Sequence, residues 1–110
     1  MAFKIFNDVG YGHSEKYYQK LLESLLESEN IVFEREFLTR QIYNGKEVGK
    51  YFFDFLIDNK IILELKVRPS LGYTHIKQVV DYLRASNYKL SILIYFTREG
   101  VKYRRVLNGN

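Results

Sequence analysis

A chain of 110 residues with 46% apolar residues and a formal net charge of +4 has the size and composition of one folded domain. It contains no cysteine, which excludes a disulfide framework, a cysteine-ligated zinc site and a thiol nucleophile. No stretch approaches the roughly 20 apolar residues of a membrane-spanning helix, and no apolar signal core follows the first residues. We therefore expect a single domain over residues 1–110 that is cytoplasmic and makes no contact with a membrane.

The first predicted element is a helix that begins after residue 14. Residues 1–13, which include Gly10 and Gly12, are predicted to form a flexible lead-in. Ser14 is a favourable N-cap, and the acid that follows it suits the positive end of the helix dipole. Apolar side chains then recur at helical spacing and predict an amphipathic helix of about four turns that ends near residues 28–30. These side chains are Tyr18, Leu21, Leu22, Leu25 and Leu26.

Three strands are predicted after this helix. Alternating residues over 31–38 predict the first strand, and Asn44-Gly45 is a strong hairpin signal that pairs it with a strand carrying Asp54. Asp58-Asn59-Lys60 turns the chain into the third strand, which closes at Arg68-Pro69-Ser70 because proline cannot continue a ladder of backbone hydrogen bonds. The three strands are expected to run antiparallel.

The register of the second hairpin sets two carboxylates against each other. With three residues in the turn, Ile57 faces Ile61 and Asp54 faces Glu64. A two-residue turn would set Asp54 opposite Leu63 and mix the two faces, so the pattern favours the first alignment. The apolar side chains then expected on one face are Phe53, Phe55, Ile57, Leu63, Leu65 and Val67, with the two acids and Lys66 on the other.

The pair of facing acids is followed by a lysine. Two carboxylates that face each other on a sheet repel, so something is expected to compensate their charge. A hard cation such as Mg²⁺ prefers one or two carboxylates together with water and phosphate oxygens, which Asp54 and Glu64 would provide. Lys66 would orient or deprotonate a metal-bound water, or steady the charge of a phosphate. The competing interpretation is a solvated strand face with an ordinary Glu-Lys pair.

The rest of the chain predicts a second helix and two strands. Thr74 can cap this helix, which carries His75, Gln78 and Tyr82 on a second face beside its apolar stripe. Residues 90–96 are a continuous apolar run typical of a buried inner strand, and residues 101–107 predict a short last strand. The second helix makes a crossover to the inner strand, so we expect an α/β sandwich around a mixed sheet.

Charge is unevenly distributed along the chain. Between residues 15 and 36 six acids accompany three bases, whereas between residues 66 and 105 nine bases accompany two acids. The basic part follows the predicted site and suits a polyanionic partner such as nucleic acid. Basic character for solubility alone is the competing interpretation. Arg104 and Arg105 alternate in direction along the last strand, so at most one of them is expected to face the site.

The start of the first helix carries a recognisable signature. Gly12-His-Ser-Glu15-Lys-Tyr-Tyr18 matches the GxxExxY pattern that names a small family within the PD-(D/E)XK nuclease-like superfamily. The resemblance runs from residue 12 to about residue 106, and the order and spacing of its segments are more specific than any one motif. Phe53 stands where the superfamily motif has proline, and Tyr95 stands where asparagine is expected. The other matching segments, in order, are Val48–Asp54, Ile62–Lys66, Gln78–Leu83 and Tyr103–Val106.

The resemblance implies a restriction-endonuclease-like αβββαβ core, with a mixed central sheet flanked by two helices, and a metal-dependent phosphodiesterase ancestry. Carried over by position, Asp54 and Glu64 would bind Mg²⁺ (or Mn²⁺) and Lys66 would activate water. Glu15 would reach the site from the first helix as an outer acid or further ligand, and Gln78 would orient water or phosphate. From the residues alone, Glu15 is a first-turn acid and Gln78 is a surface amide.

The favoured hypothesis is a metal-dependent nuclease that hydrolyses phosphodiester bonds, of DNA rather than RNA, without a small-molecule organic cofactor. One alternative is a module with the same fold that binds nucleic acid with little or no catalysis. Another is a subunit or homodimer whose site is completed by a partner, since tyrosine-rich surfaces suit interfaces. The basic side chains predicted to contact nucleic acid are Arg68, Lys77, Arg104 and Arg105.

Overall fold

A computed structural model describes residues 1–69 and 73–108 of the chain, with side chains at all of these positions except 73–75. The helices in this part are α1 (Ala2–Val9), α2 (Glu15–Ser28) and α3 (Tyr73–Ala85). The strands are β1 (Phe33–Tyr43), β2 (Lys46–Ile57), β3 (Ile61–Val67), β4 (Leu90–Thr97) and β5 (Gly100–Leu107). No helix within these residues has the length and apolar character needed to cross a membrane.

The strands form one sheet in the order β1-β2-β3-β4-β5. Neighbouring strands are antiparallel except β3 and β4, which are parallel. A parallel pair needs a crossover connection, and α3 provides it. The mixed sheet of an α+β sandwich, with a restriction-endonuclease-like core, is therefore confirmed.

An apolar core lies on each face of the sheet. On the face covered by α3, Phe53 and Leu93 are fully buried against the apolar stripe of that helix. On the face covered by α2, Phe55 and Phe96 are fully buried beside Tyr18. Because helices cover both faces, the inner strands carry apolar residues on both sides, and neither face is simply solvated.

Residues 2–9 form helix α1 rather than the flexible lead-in predicted from Gly10 and Gly12. Ile5 is buried in the α2-face core, and Phe6 and Val9 pack against it. A helix of only eight residues is marginal on its own, so this packing stabilises α1 rather than local propensity. Gly10, with a φ of 70°, follows the last helical residue, so it ends a helix instead of loosening the segment.

The β1–β2 hairpin has the predicted turn and is longer than predicted. Asn44 and Gly45 have φ values of 54° and 75°, as the type I′ turn of a two-residue hairpin requires. Strand β1 continues to Tyr43, beyond the expected end at residue 38, because its pairing with β2 runs to the turn. Only residues 55–57 of β2 pair with β3, so most of the hairpin extends beyond that partner.

The second hairpin has the predicted three-residue turn at Asp58-Asn59-Lys60. Ile57 faces Ile61, which is the register expected from the alternation of apolar residues. Its first two residues have φ values of 53° and 54°, a left-handed conformation that Asp and Asn tolerate better than most residues. Strand β3 then ends at Val67, before Pro69, as predicted.

A local distortion at Glu36 and Asp54 reverses the faces of β1 and β2. The residues on either side of Glu36 and Asp54 pair in one register, but these two residues do not pair with each other. Glu36 has a φ of 53°. Phe53 consequently packs in the α3-face core while Phe55 packs in the α2-face core. The prediction that Phe53 and Phe55 share a face is wrong, because strict alternation does not hold across a distorted pair.

The last helix and strands follow the prediction to within a few residues. Helix α3 begins at Tyr73, so Thr74 lies in its first turn rather than at the cap. The side chains of Thr74 and His75, like residue Ser70, lie outside the described part of the chain. Strands β4 and β5 begin and end within one residue of the expected bounds.

Candidate active site

Strands β2 and β3 separate beyond Phe55 and Leu63, and carboxylates occupy the gap. The backbone N–H of Asp54 donates to Glu64 Oε2 (3.2 Å), and the backbone N–H of Leu65 donates to Asp54 Oδ2 (2.7 Å). The register thus brings Asp54 and Glu64 together, but side chains take over the bonds that a continued ladder would make. Each acid is fixed by a backbone amide of the opposite strand.

Glu64 is buried, with 2% of its surface exposed, which excludes the solvated strand face. Its Oε1 accepts from the Tyr51 hydroxyl (3.1 Å) and lies 3.3 Å from Lys66 Nζ. Loss of hydration, followed by the charge of Asp54, raises the pKa of Glu64 to about 8, although Lys66 opposes the shift. Without a metal ion in the site, this carboxyl group therefore holds its proton at neutral pH.

Asp54 lies at the distorted pair of the β1–β2 ladder, and its side chain enters the gap between β2 and β3. Burial raises the pKa of Asp54, while the bond from the Leu65 amide and the charge of Lys66 lower it. Oδ1 makes no hydrogen bond within the described residues, whereas Oδ2 is held by the backbone. One oxygen of Asp54 is thus fixed and the other is available to a ligand.

Lys66 reaches the two acids from the end of β3. Its side chain is 12% exposed, and Nζ lies 3.3 Å from Glu64 Oε1 and donates to the Tyr51 hydroxyl over 3.3 Å. In the sheet it is flanked by Tyr95 of β4, which is buried and whose hydroxyl has no partner in the described residues. The ammonium group is therefore held inside the site rather than extended into solvent.

Glu15 approaches the same gap from the first turn of α2. Its Oε1 accepts from the backbone N–H of Val67 (3.3 Å) and lies 3.6 Å from Arg68 Nη1. The Ser14 side chain caps the helix by accepting from the Tyr17 amide (3.1 Å), which orients this first turn. Glu15 thus reaches the outer end of the site, as the resemblance implies for an outer acid.

The other two positions of the GxxExxY signature have structural tasks. Gly12 has a φ of 113°, a backbone conformation that residues other than glycine rarely adopt. Tyr18 is fully buried, stacks on Phe96 at 4.2 Å between ring centroids, and donates its hydroxyl proton to the carbonyl of Gly10. The signature therefore joins α1, α2 and the sheet while directing Glu15 towards β3.

Tyr51 belongs to the site and was not predicted. Strict alternation places it with Phe53 and Phe55, away from the acids, whereas the distortion at Asp54 turns Tyr51 onto the face that carries Glu64. Its hydroxyl contacts both Glu64 and Lys66. Nothing in the local sequence signals this distortion, so the residue could not be found from the pattern.

Arg35 was also missed, although the sequence carried a signal for it. It follows Ile31 and Phe33 at an inward-facing position, where a charged residue needs partners. Its guanidinium donates to Glu23 of α2 (2.8 Å) and to the carbonyl of Asp54 (3.2 Å), and lies 4.6 Å from the ring centre of Phe55. Arg35 therefore fastens α2 to the distorted part of β2.

The predicted nucleic-acid contacts lie in different places. Arg104 pairs with Leu93 and lies on the α3 face of the sheet. There it lines a groove of about 190 Å³ together with Lys77, Arg84 and the acid Asp81. Arg105 pairs with Ile92 and lies on the opposite face, as expected for neighbours on a strand. Arg68 lies beside Glu15 at the end of β3. Arg104 and Lys77 thus form a surface that Arg105 does not join.

Gln78 is exposed on α3 and makes no hydrogen bond to the acids or to Lys66 within the described residues. It lies one turn before Tyr82, whose ring is 4.8 Å from that of Tyr51. Its helix therefore borders the site, while a contact of Gln78 with water or phosphate stays a prediction.

Asp54 and Glu64 are the residues that would hold a divalent cation. Both have a raised pKa, so a positive charge beside them would stabilise their ionised forms. In the described part of the chain no group of three or more carboxylate, histidine or cysteine side chains is arranged around a common point. Water and substrate oxygens would therefore supply the remaining ligands, as is usual for Mg²⁺, and the pair fits such an ion.

Comparison with known proteins agrees with this geometry. The family model described as the PD-(D/E)XK nuclease superfamily matches residues 1–106. No curated protein matches the chain. A solved structure, the crystal structure of SSO0001, aligns with a TM-score of 0.63 and 28% sequence identity. The alignment covers 86% of this chain and 50% of that one, so this chain spans about half the length of that similar structure.

The matched region contains both acids, the lysine and nearly all of the sheet. The narrower assignment to the GxxExxY family stays a prediction. On the match over residues 1–106, the chain belongs to the PD-(D/E)XK nuclease superfamily.

Proposed function

We propose that this protein is a metal-dependent nuclease that hydrolyses phosphodiester bonds of DNA. The observation that carries the proposal is the convergence of Asp54, Glu64 and Lys66 in the gap between β2 and β3. Membership of the superfamily supports the same class of reaction.

Each residue has a task that follows from its position. An Mg²⁺ or Mn²⁺ ion held by Asp54 and Glu64 would lower the pKa of a bound water and polarise the phosphate. The two backbone amides fix both carboxylates before substrate arrives, which is the preorganisation that efficient catalysis needs. Lys66 is positioned to hold the attacking water or to steady the negative charge that develops on the phosphate. Glu15 adds negative charge at the outer end of the site.

Nucleic acid as the substrate is supported by charge. The chain is basic overall, and Arg104 and Lys77 lie together on the face that also carries Glu64. Such a surface would bind phosphates regardless of sequence, with an affinity that falls steeply as salt rises. The preference for DNA over RNA rests on the family resemblance.

The decisive experiment measures cleavage of plasmid DNA, single-stranded DNA and RNA with Mg²⁺, with Mn²⁺ and with EDTA. We expect metal-dependent cleavage of DNA that falls to the EDTA background in Asp54→Asn. Asparagine keeps an oxygen for the Leu65 amide, so this variant removes the charge while the strand contact persists. Lys66→Met should lower turnover by about 100-fold or more, as expected for the loss of a positioned acid-base group.

The hairpin turn provides matched controls. Asp58 and Lys60 form an exposed pair only a few residues from the site, so Asp58→Asn and Lys60→Met should retain full activity. Wild-type protein that binds Mn²⁺ yet cleaves no DNA or RNA would contradict the nuclease. Salt-dependent binding of DNA under those conditions would instead identify a binding module with the same fold.

Self-association and a cytoplasmic location remain predictions. Light scattering tests the first, since a strict monomer at high concentration would exclude a homodimer. Full DNA cleavage by such a monomer would also exclude a site that a second copy must complete.

A further inference from the structure

We propose that Tyr51 is a positioning residue of this site, whose hydroxyl sets the Glu64 carboxylate and the Lys66 ammonium group relative to each other. The hydroxyl donates to Glu64 Oε1 over 3.1 Å and accepts from Lys66 Nζ over 3.3 Å. Nζ and Oε1 are themselves 3.3 Å apart, so the three groups close a triangle. The catalytic part of this role rests on the proposed nuclease function.

The triangle is protected from water. The side chain of Glu64 is 3% exposed and that of Lys66 is 12% exposed, so water cannot readily replace a lost partner. Glu64 Oε2 is already occupied by the backbone N–H of Asp54. Within the described residues, the Tyr51 hydroxyl and Glu64 Oε1 are the groups that hold Lys66 Nζ. Without the hydroxyl, the ammonium group keeps one of these two anchors.

Helix α3 holds the ring of Tyr51 in place. The Tyr82 ring lies 4.8 Å from the Tyr51 ring, with 32° between their planes, and Phe53 lies 4.9 Å away on the same core. A Cβ at Gly49 would lie 2.9 Å from Gln41 Oε1 and 3.3 Å from the Tyr82 hydroxyl oxygen, so glycine leaves room for both side chains. The position of the lysine is thus tied to α3 through the contact between the Tyr51 and Tyr82 rings.

Tyr51→Phe tests the role because it keeps the ring and removes only the hydroxyl. We expect turnover at saturating metal to fall by about 10–100-fold, as is typical when the partner of a site residue is removed. Mn²⁺ affinity measured by calorimetry should not change, because the amides of Asp54 and Leu65 still hold both carboxylates. The matched control is Tyr103→Phe, at an exposed position, which should keep wild-type turnover.

A second measurement does not depend on catalysis. The rate at which an amine-reactive reagent labels Lys66, followed by mass spectrometry, should rise several-fold in Tyr51→Phe, because the ammonium group has lost an anchor. Labelling of exposed Lys60 serves as the internal reference and should not change.

These outcomes separate the two proposals. Wild-type protein without cleavage refutes the nuclease, and the labelling rate of Lys66 then decides the role of Tyr51 alone. An unchanged labelling rate in Tyr51→Phe overturns the positioning role, whatever the turnover. A Mn²⁺ affinity that falls by as many fold as the turnover does overturns it as well.

Discussion

The carboxyl group of Glu64 lies out of water and beside a second acid. Its ionised form is therefore disfavoured in the folded protein relative to the unfolded chain, where the pKa is near 4.5. The unfolded state loses this proton near pH 4.5 and the folded state near pH 8. Between these values the folded state binds more protons, so without metal the contribution of Glu64 to stability falls as pH rises.

Glu64→Gln should remove this dependence. We expect the unfolding free energy of the variant, relative to wild type, to rise by on the order of 3 kcal/mol between pH 5 and pH 8. Urea denaturation at both pH values without metal measures it. Glu34→Gln, at an exposed position of β1, should leave the pH dependence as it is. A constant difference between Glu64→Gln and wild type would contradict the raised pKa.

For individual residues, the sequence predicts which side chains come together, but not their burial or the groups that bind them. Asp54 and Glu64 could be aligned because turn length and apolar alternation are local properties. Their burial could not be predicted, since it depends on α3 covering a face that the pattern left open. Tyr51 could not be predicted as a site residue for a related reason. The distortion at Asp54 changes the face of the sheet on which the preceding residues of β2 lie.

Arg35 acts at the level of elements, because one side chain joins a helix to two strands. It bonds to Gln19 and Glu23 of α2 and to the backbone of Asp54 in β2, and its own backbone lies in β1. Charge-assisted hydrogen bonds of a part-buried group contribute more than those of exposed pairs.

Arg35→Ala should therefore lower the unfolding free energy by about 2 kcal/mol. Arg35→Lys should recover little of it, since one ammonium group cannot reach three acceptors in different directions. Arg40→Ala is the matched control on the same strand: its pair with Glu47 is exposed, so the change should stay below about 1 kcal/mol. Equal effects at positions 35 and 40 in chemical denaturation would count against this account.

Elements with strong periodicity or turn chemistry were predictable, and elements that depend on packing were not. Helix α2 begins and ends where its cap and apolar spacing indicate. Helix α1 escaped prediction because eight residues next to two glycines carry little helical signal of their own. The distortion at Glu36 has no Gly or Pro to mark it, and its left-handed residue is sustained by surrounding contacts such as those of Arg35.

Across the whole molecule, the two faces of the sheet differ in what they offer a polyanion. Arg104 lies on the face that carries Glu64, whereas Arg105 lies on the face covered by α2. The two arginines are adjacent in sequence and both are exposed, so they make a matched pair.

Arg104→Ala should weaken DNA binding and lower the slope of log affinity against log salt by about 1, the value expected for the loss of one phosphate contact. Arg105→Ala should change neither quantity. Fluorescence anisotropy with labelled DNA over a salt series, in EDTA to prevent cleavage, gives both numbers. A larger effect at position 105 would place the nucleic acid on the other face.

The three acids of the site also complete the backbone of the sheet. Asp54, Glu64 and Glu15 accept hydrogen bonds from the backbone amides of Leu65, Asp54 and Val67, respectively, where β2 no longer pairs with β3. A related protein that had lost catalytic activity would still need these hydrogen-bond acceptors where β2 and β3 separate. The presence of the same acids in a related sequence is therefore weak evidence for hydrolysis. Lys66, which accepts no hydrogen bond from a backbone amide, is the more informative residue.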